Sequence, residues 1–347
     1  MSRLASLGTT ATLVAGLTMA LGLGASGARA QDLYAGKTVT LVVGSAVGGG
    51  YDTYARLFAR HLGDHLPGKP TVVVQNMPGA GSARAAGYVY SSAPKDGMTI
   101  ALVQPGAVVG PLLDKSVKAN YDPTKFVFLA SADSGTRVCL TLPGSRIKSW
   151  KQVQTEKVIA GAAGTGASNR DYAYLHKNTS GAKFEIVSGY QGMADILLAM
   201  ERGEVDTVCG LDWSSAKAQR PTLAKEKKLN VLVQATLEPN AELDELGVPN
   251  IMSFTQGEDN RAIVELIVAQ QFFGRPFVMA PGSPEANIKA MRAAFDAVMK
   301  DPKLIAEAEK MGVDITPAPG VKVQEVVQKM YASPPRIVEQ AAKAIRE

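Results

Sequence analysis

Histidine and cysteine are scarce in this chain, three and two among 347 residues, which removes most ways of building a metal centre or a nucleophile–base pair. His61 and His65 have the i, i+4 spacing of helical zinc ligands, but Leu-Gly-Asp separates them and the glutamate of a metalloprotease helix is missing. They read as two exposed histidines near a helix end. His176 lies inside a helical pattern without a nucleophile beside it, and no G-x-S-x-G occurs. Asp206 and Asp212 read as solvated strand-end carboxylates rather than an acid–base pair. No catalytic set emerges, so neither an enzyme nor a metal nor a cofactor is expected. Nucleotide signatures fail too. The stretch 63–70, GDHLPGKP, has Pro70 where a hydroxyl should hold magnesium and follows a helix instead of a strand, and 44–50 does not fit G-x-G-x-x-G. Cys139 and Cys209 lie in apolar strand-like runs; an oxidising compartment permits a disulfide, and two buried free thiols fit at least as well.

Charge is also lacking. The chain has 37 basic and 32 acidic residues, a formal +5, of which Arg3 and Arg29 fall in the leader described next and leave +3. The lysines are scattered, and their densest cluster, at 225–228, reads as a solvated helix end, so no nucleic-acid partner is expected. The one long apolar run, 11–23, is interrupted by Gly16 and Gly22 and is too short to span a bilayer comfortably. Arg3 precedes it and Ala28-Arg29-Ala30 follows, the pattern of a secretory signal peptide ending before Gln31. Residues 1–30 are therefore expected to be removed, and the mature chain to be a periplasmic, monomeric protein.

What the chain does have is glycine placed between strands and helices. Residues 39–43 read as a buried strand, Gly48, Gly49 and Gly50 as a turn, and Asp52 onward as a helix. Amides at such a helix start lack intrahelical partners and lie at the positive end of the macrodipole, so the loop offers an anion seat. The pattern repeats after strand 71–75, where Asn76-Met77-Pro78-Gly79-Ala80-Gly81 opens a helix, and strand 98–103 ends at Gln104-Pro105-Gly106-Ala107. A crossover at 131–136 leads to a second lobe. Its glycine loop, 161–170, adds Thr165 and Ser168 hydroxyls and the cation Arg170, groups suited to a carboxylate or phosphate. The chain then returns through 270–280, and a last helix, 321–344, is expected to pack across the first lobe. The fold class is α/β, with two doubly wound sheets joined by a hinge.

These motifs, in this order, resemble the extracytoplasmic receptors of tripartite tricarboxylate transporters, also called Bug proteins. The carriers of the likeness are VGGGYDTYAR at 47–56, NMPGAG at 76–81, PKDGMTIAL at 94–102, GTGASN at 164–169 and GYQGMADILLAMERGEVD at 189–206. The resemblance implies a two-lobed periplasmic binding fold, a Venus flytrap, holding a small carboxylate through backbone amides and passing it to integral membrane permease subunits. Matched position by position, it assigns ligand contacts to Gly48, Gly49, Asp52, Gly79, Ala80, Gln104, Gly106 and Ala107 in the first lobe. In the second it assigns them to Thr165, Gly166, Ser168, Tyr190 and Asp212. Lobe one would span 31–132, lobe two 133–252, and the return 253–347. Three departures alter the expected pocket: Gly44-Ser45 replace a proline and an aromatic, Tyr51 replaces a small residue, and Asn169-Arg170 bring a cation, so Arg170 joins the candidate contacts. Two rival readings remain, an exported enzyme acting on a small carboxylate with Asp52 or Asp212 as base, and a ligand-dependent partner of a membrane sensor.

Overall fold

Residues 39 and 41–43 are fully enclosed, which belongs to a strand inside a sheet covered on both faces. In the computed structural model, which describes residues 33–346 except 49, 116, 165, 166, 191, 238 and 239, this strand is β1 (Thr38–Val43). The expected leader, 1–30, lies outside the described residues. After β1 come α1 (Gly50–Leu62), β2 (Thr71–Asn76), β3 (Thr99–Leu102), α2 (Pro105–Leu113) and β4 (Val127–Ser131). The next stretch holds β5 (Arg137–Thr141), β6 (Val158–Ala162), α3 (Ser168–Thr179), β7 (Phe184–Ser188), α4 (Met193–Glu201), β8 (Val208–Asp212) and β9 (Asn230–Ala235). The last comprises α5 (Glu258–Val268), β10 (Pro276–Met279), α6 (Glu285–Val298), α7 (Pro302–Met311), β11 (Ala318–Pro319), α8 (Gly320–Tyr331) and α9 (Pro335–Ala344).

The first sheet has the order β11-β4-β10-β3-β1-β2. β1 runs parallel to both β2 and β3, so three carboxyl ends reach one edge, while β10 is antiparallel to β3 and β4. Alternation sends Leu41, Val43, Ile100 and Leu102 to one face, against α1 and α6, where Phe58, Phe277 and Phe295 stack with ring centroids 4.5 to 5.9 Å apart. Val42, Ala101 and Val103 point to the other face, into a separate apolar cluster. Both faces are covered, as the doubly wound reading requires. α7 lies along α1, where His61 pairs with Glu307 (2.6 Å) and His65 with Asp301 (2.9 Å). The two histidines are thus not exposed: each is partly covered and turned toward a carboxylate of the neighbouring helix.

In the second sheet β5 lies antiparallel between β8 and β9, and β6 pairs with β7 in parallel. A parallel bridge from Ala160 to Thr207 joins the two pieces, so β6, β7 and β8 also end at a common edge. Cys139 on β5 and Cys209 on β8 form a disulfide, their Cα atoms 4.0 Å apart. The strands of the first sheet are reached by segments 132–136 and 269–275, which lie side by side: Ala132 N donates to Arg275 O (3.0 Å), Gly274 N to Asp133 O (3.1 Å) and Gly135 N to Gln271 O (3.1 Å). A Cβ at Gly274 would run into the Asp133 carboxylate, which explains the glycine there.

The single terminal helix expected over 321–344 is two helices. Pro334 and Pro335 cannot continue α8, because proline lacks the amide hydrogen and disfavours helical geometry before it. The chain turns, and α9 packs on α5, α2 and α3, so it bridges both halves of the molecule instead of crossing the first alone. Asn178 Nδ2 on α3 donates to Ala344 O at 3.0 Å.

Candidate functional site

The ends of β1, β2 and β3 deliver the loops picked out by the glycine pattern. Asp52 is 2% exposed and its carboxylate is engaged from both sides: Oδ2 accepts from Gly48 N (2.8 Å) and Arg56 Nε (2.9 Å), and Oδ1 from Asn76 Nδ2 (2.9 Å). Burial pushes its pKa up, but the bonds from Arg56, Gly48 and Asn76 together outweigh that and hold it at about 2. The Gly48 amide is therefore not bare; the chain's own carboxylate occupies that seat. Gly49 lies outside the described residues.

The second loop is strained. Gly79, Ala80, Gly81 and Ser82 all have positive φ (137°, 46°, 57° and 74°), and the two non-glycines cost on the order of 1 kcal/mol each. Ser82 holds the turn and ties three loops together: its Oγ donates to Gly44 O (2.8 Å) and accepts from Gln104 N (3.1 Å). A Cβ at Gly44 would collide with Ser82, so glycine at 44 makes room for this hub. Gly79, Ala80, Gly81 and Gly106 are exposed at the rim, whereas Ala107 is buried and its carbonyl accepts from Tyr121 Oη (2.8 Å).

On the second sheet the expected contacts are largely committed to local structure. Ser168 Oγ donates to Gly210 O (3.1 Å), Asn169 Oδ1 accepts from Ala163 N (2.9 Å), and Asp212 Oδ1 caps the helix beginning at Trp213 by accepting from Ser214 N (3.1 Å) and Ser214 Oγ (2.6 Å). Tyr190 is half-buried, with its amide on Ala162 O (3.3 Å). Arg170 is 8% exposed, its guanidinium 4.7 Å from the centre of the Tyr174 ring. Thr165 and Gly166 lie outside the described residues.

Between the two sets of loops lies a group that the motifs did not single out, except for Tyr51. Tyr51 Oη on α1 donates to Gly274 O (2.8 Å), and Tyr172 Oη on α3 accepts from Gln271 Nε2 (2.5 Å). Gln271 Oε1 in turn accepts from the amide of Arg137 (2.8 Å). Arg275 stacks 3.9 Å from the centre of the Tyr54 ring and forms an ion pair with Asp133. Burial raises the pKa of Tyr51, opposed by Arg275 and then Arg137, and brings that of Tyr172 to about 12, opposed by Arg137 and the Gln271 hydrogen bond, while the Asp212 charge adds to the rise in both. Arg137 and Asp212, opposite each other in the β5–β8 register, thus act together on a tyrosine of α1 and one of α3. The only signal of Arg137 in the sequence was an isolated charge opening an otherwise apolar strand. Beside residues 134–136 open a cavity of ≈ 360 Å³, lined among others by Asp212, Lys217 and Glu242, and another of ≈ 270 Å³, lined by Asn240, Gln271 and Phe272.

Ligating atoms of Cys139, Cys209 and His176 lie within 4.8 Å of one another, but the sulfurs are bonded to each other, and burial lowers the His176 pKa to about 3. The group is a neutral packing unit around a disulfide.

The profile of the tripartite tricarboxylate transporter family receptor matches residues 55–342. A UPF0065 protein of Agrobacterium vitis, from its TAR-I ttuE-ttuC' intergenic region, is 26% identical over 92% of this chain and 87% of its own length. Among solved structures, a TctC solute binding protein from Polaromonas superposes with a TM-score of 0.70 at 17% identity, covering 88% of this chain and 99% of that one. MatC from Rhodopseudomonas palustris, solved with bound malate, superposes at 0.58 and 20% identity over 89% and 99% of the two chains. A further R. palustris protein, solved with adipate, gives 0.59 and 20% over 89% and 97%.

Proposed function

Since the chain belongs to the tripartite tricarboxylate transporter receptor family, we propose that it is an exported receptor that holds a small organic carboxylate between two lobes and presents it to membrane permease subunits. The observation that supports this reading most directly is that each of two sheets brings the carboxyl ends of parallel strands to one edge, β1–β3 in the first and β6–β8 in the second. Ligands of open α/β sheets sit at such edges. Malate and adipate in two structural neighbours agree with a carboxylate. The lobes of the proposal are 31–132 with 253–347, and 133–252, and its rim contacts are the exposed backbone at Gly79, Ala80 and Gly106.

An enzyme with Asp52 as base is disfavoured by the geometry, because a carboxylate with a pKa of about 2 and three hydrogen-bond donors is a poor proton acceptor. Asp212 has one oxygen, Oδ1, committed to a helix cap. The test is a thermal-shift screen of mono-, di- and tricarboxylates on the chain without residues 1–30. A ligand at 100 times its dissociation constant adds about 2.7 kcal/mol to stability, and the shift should saturate with the acid recovered unchanged. No shift with any acid, or conversion of the acid to a product, sinks the proposal.

A further inference from the structure

Three loops leave the carboxyl ends of β1, β2 and β3, and one buried side chain joins all of them. Main-chain bonds hold the strand ends: Met77 N donates to Val43 O (2.8 Å) and Gly44 N to Leu102 O (3.0 Å). Asn76 Nδ2, at the end of β2, adds a tie to the first loop by donating to Ser45 O (3.0 Å). Ser82 reaches further. It is 1% exposed, and its hydroxyl donates to Gly44 O (2.8 Å) while accepting from Gln104 N (3.1 Å). A hydroxyl fills both roles at once, and an alanine could fill neither.

The backbone is strained to put that hydroxyl there. Ser82 has a φ of 74° and follows Gly79, Ala80 and Gly81, all with positive φ. A non-glycine residue stays in that region only where its surroundings over-determine it, and such residues gather at functional sites. The space around it is made by Gly44. That glycine lies outside the left-handed region, so its backbone would admit any residue, yet an added Cβ would fall on Ser82 Oγ and Cβ. Glycine at 44 therefore serves Ser82 and not a turn. The exposed backbone at Gly79, Ala80 and Gly106 lies within three residues of Ser82 or of its partner Gln104.

We infer that Ser82 is a positioning residue of the ligand site: its hydroxyl, seated in the space left by Gly44, fixes the three loops in one arrangement before a ligand arrives. The inference rests on the receptor reading above and deepens it by naming what orders the rim. Loops ordered in advance lose less conformational freedom on binding, and the freedom of one backbone residue corresponds to about a tenfold change in affinity.

Amide hydrogen exchange and titration calorimetry, with malate and adipate as probes, separate the two levels. Ser82→Gly removes the hydroxyl and relieves the strain at φ 74°, so it should fold. Exchange of the Gln104 amide and of amides 44–48 should quicken by about tenfold, while Leu41 and Ile100 inside the strands exchange as in the parent. An acid that binds the parent should bind Ser82→Gly about tenfold more weakly. Val298→Ala opens a cavity in the cluster beneath α6 and should lose stability but keep affinity, which separates positioning from a general loss of stability. Gly44→Ala should be destabilised by its collision with Ser82, and adding Ser82→Gly should restore stability without restoring affinity. Parent-like exchange at Gln104 or parent-like affinity in Ser82→Gly overturns the inference. So does an equal affinity loss in Val298→Ala, or a double variant no more stable than Gly44→Ala. If neither acid binds the parent, the wider acid screen decides the receptor reading, and unchanged exchange at Gln104 in Ser82→Gly still overturns the role of Ser82.

Discussion

Replacing Asp52 by asparagine keeps the side chain's shape and removes its charge, so the variant isolates what ionisation contributes. The folded pKa of about 2 lies below the ordinary 3.8, so folding favours the charged form. That contribution, about 2 kcal/mol, is fully present above about pH 4 and is lost as pH falls through about 2. Urea denaturation should find Asp52→Asn less stable by about 2 kcal/mol at pH 7, with the gap narrowing at pH 3. A gap that stays constant between the two would mean that packing, not charge, holds the loop. None of this was legible in the sequence, where Asp52 looked like a ligand contact at a helix start: its Arg56 partner is one helical turn away, but Asn76 comes from a different strand. Arg170 shows the same limit. The glycine loop before it drew attention to its charge, while its contact with the Tyr174 ring, four residues on, was not among the expectations.

Elements were easier to read than partners. The strands and the glycine loops announced themselves because alternation and turn chemistry are local, and the carboxyl-end edges follow once the strands are parallel. The break between α8 and α9 was equally local, in Ser333-Pro334-Pro335, but the apolar helical pattern on each side masked it. The disulfide could not be read, since pairing depends on β5 and β8 becoming neighbours across 70 residues of chain. Closing a loop of that length restricts the unfolded chain by about 4 kcal/mol in the loop-entropy model. The double variant Cys139→Ala, Cys209→Ala should therefore lose about that much stability by guanidinium denaturation, with a lower midpoint. A loss below about 1 kcal/mol would show that the β5–β8 contact already persists in the unfolded ensemble.

At the scale of the molecule the two sheets do not have two separate interiors. The cluster containing Val42, Ala101 and Val278 beneath the first sheet continues through Ile263, Val264 and Ile267 of α5 to Trp150, Leu175 and Phe184 beneath the second. α9 lies across the join, against α5, α2 and α3. Apolar surface shared in this way cannot be exposed on one side without exposing the other, and each enclosed large side chain is worth about 1.5 to 3 kcal/mol. The chain should therefore unfold in one step, despite its two sheets. It has its own reporters. Both tryptophans, Trp150 and Trp213, lie in the stretch that builds the second sheet, whereas far-ultraviolet circular dichroism senses helices throughout. Urea titrations followed by tryptophan fluorescence and by circular dichroism should superimpose, with one midpoint. A fluorescence transition that completes well before the dichroism changes would mean that the second sheet melts alone, and that the cluster through α5 is a contact surface between two independent folding units.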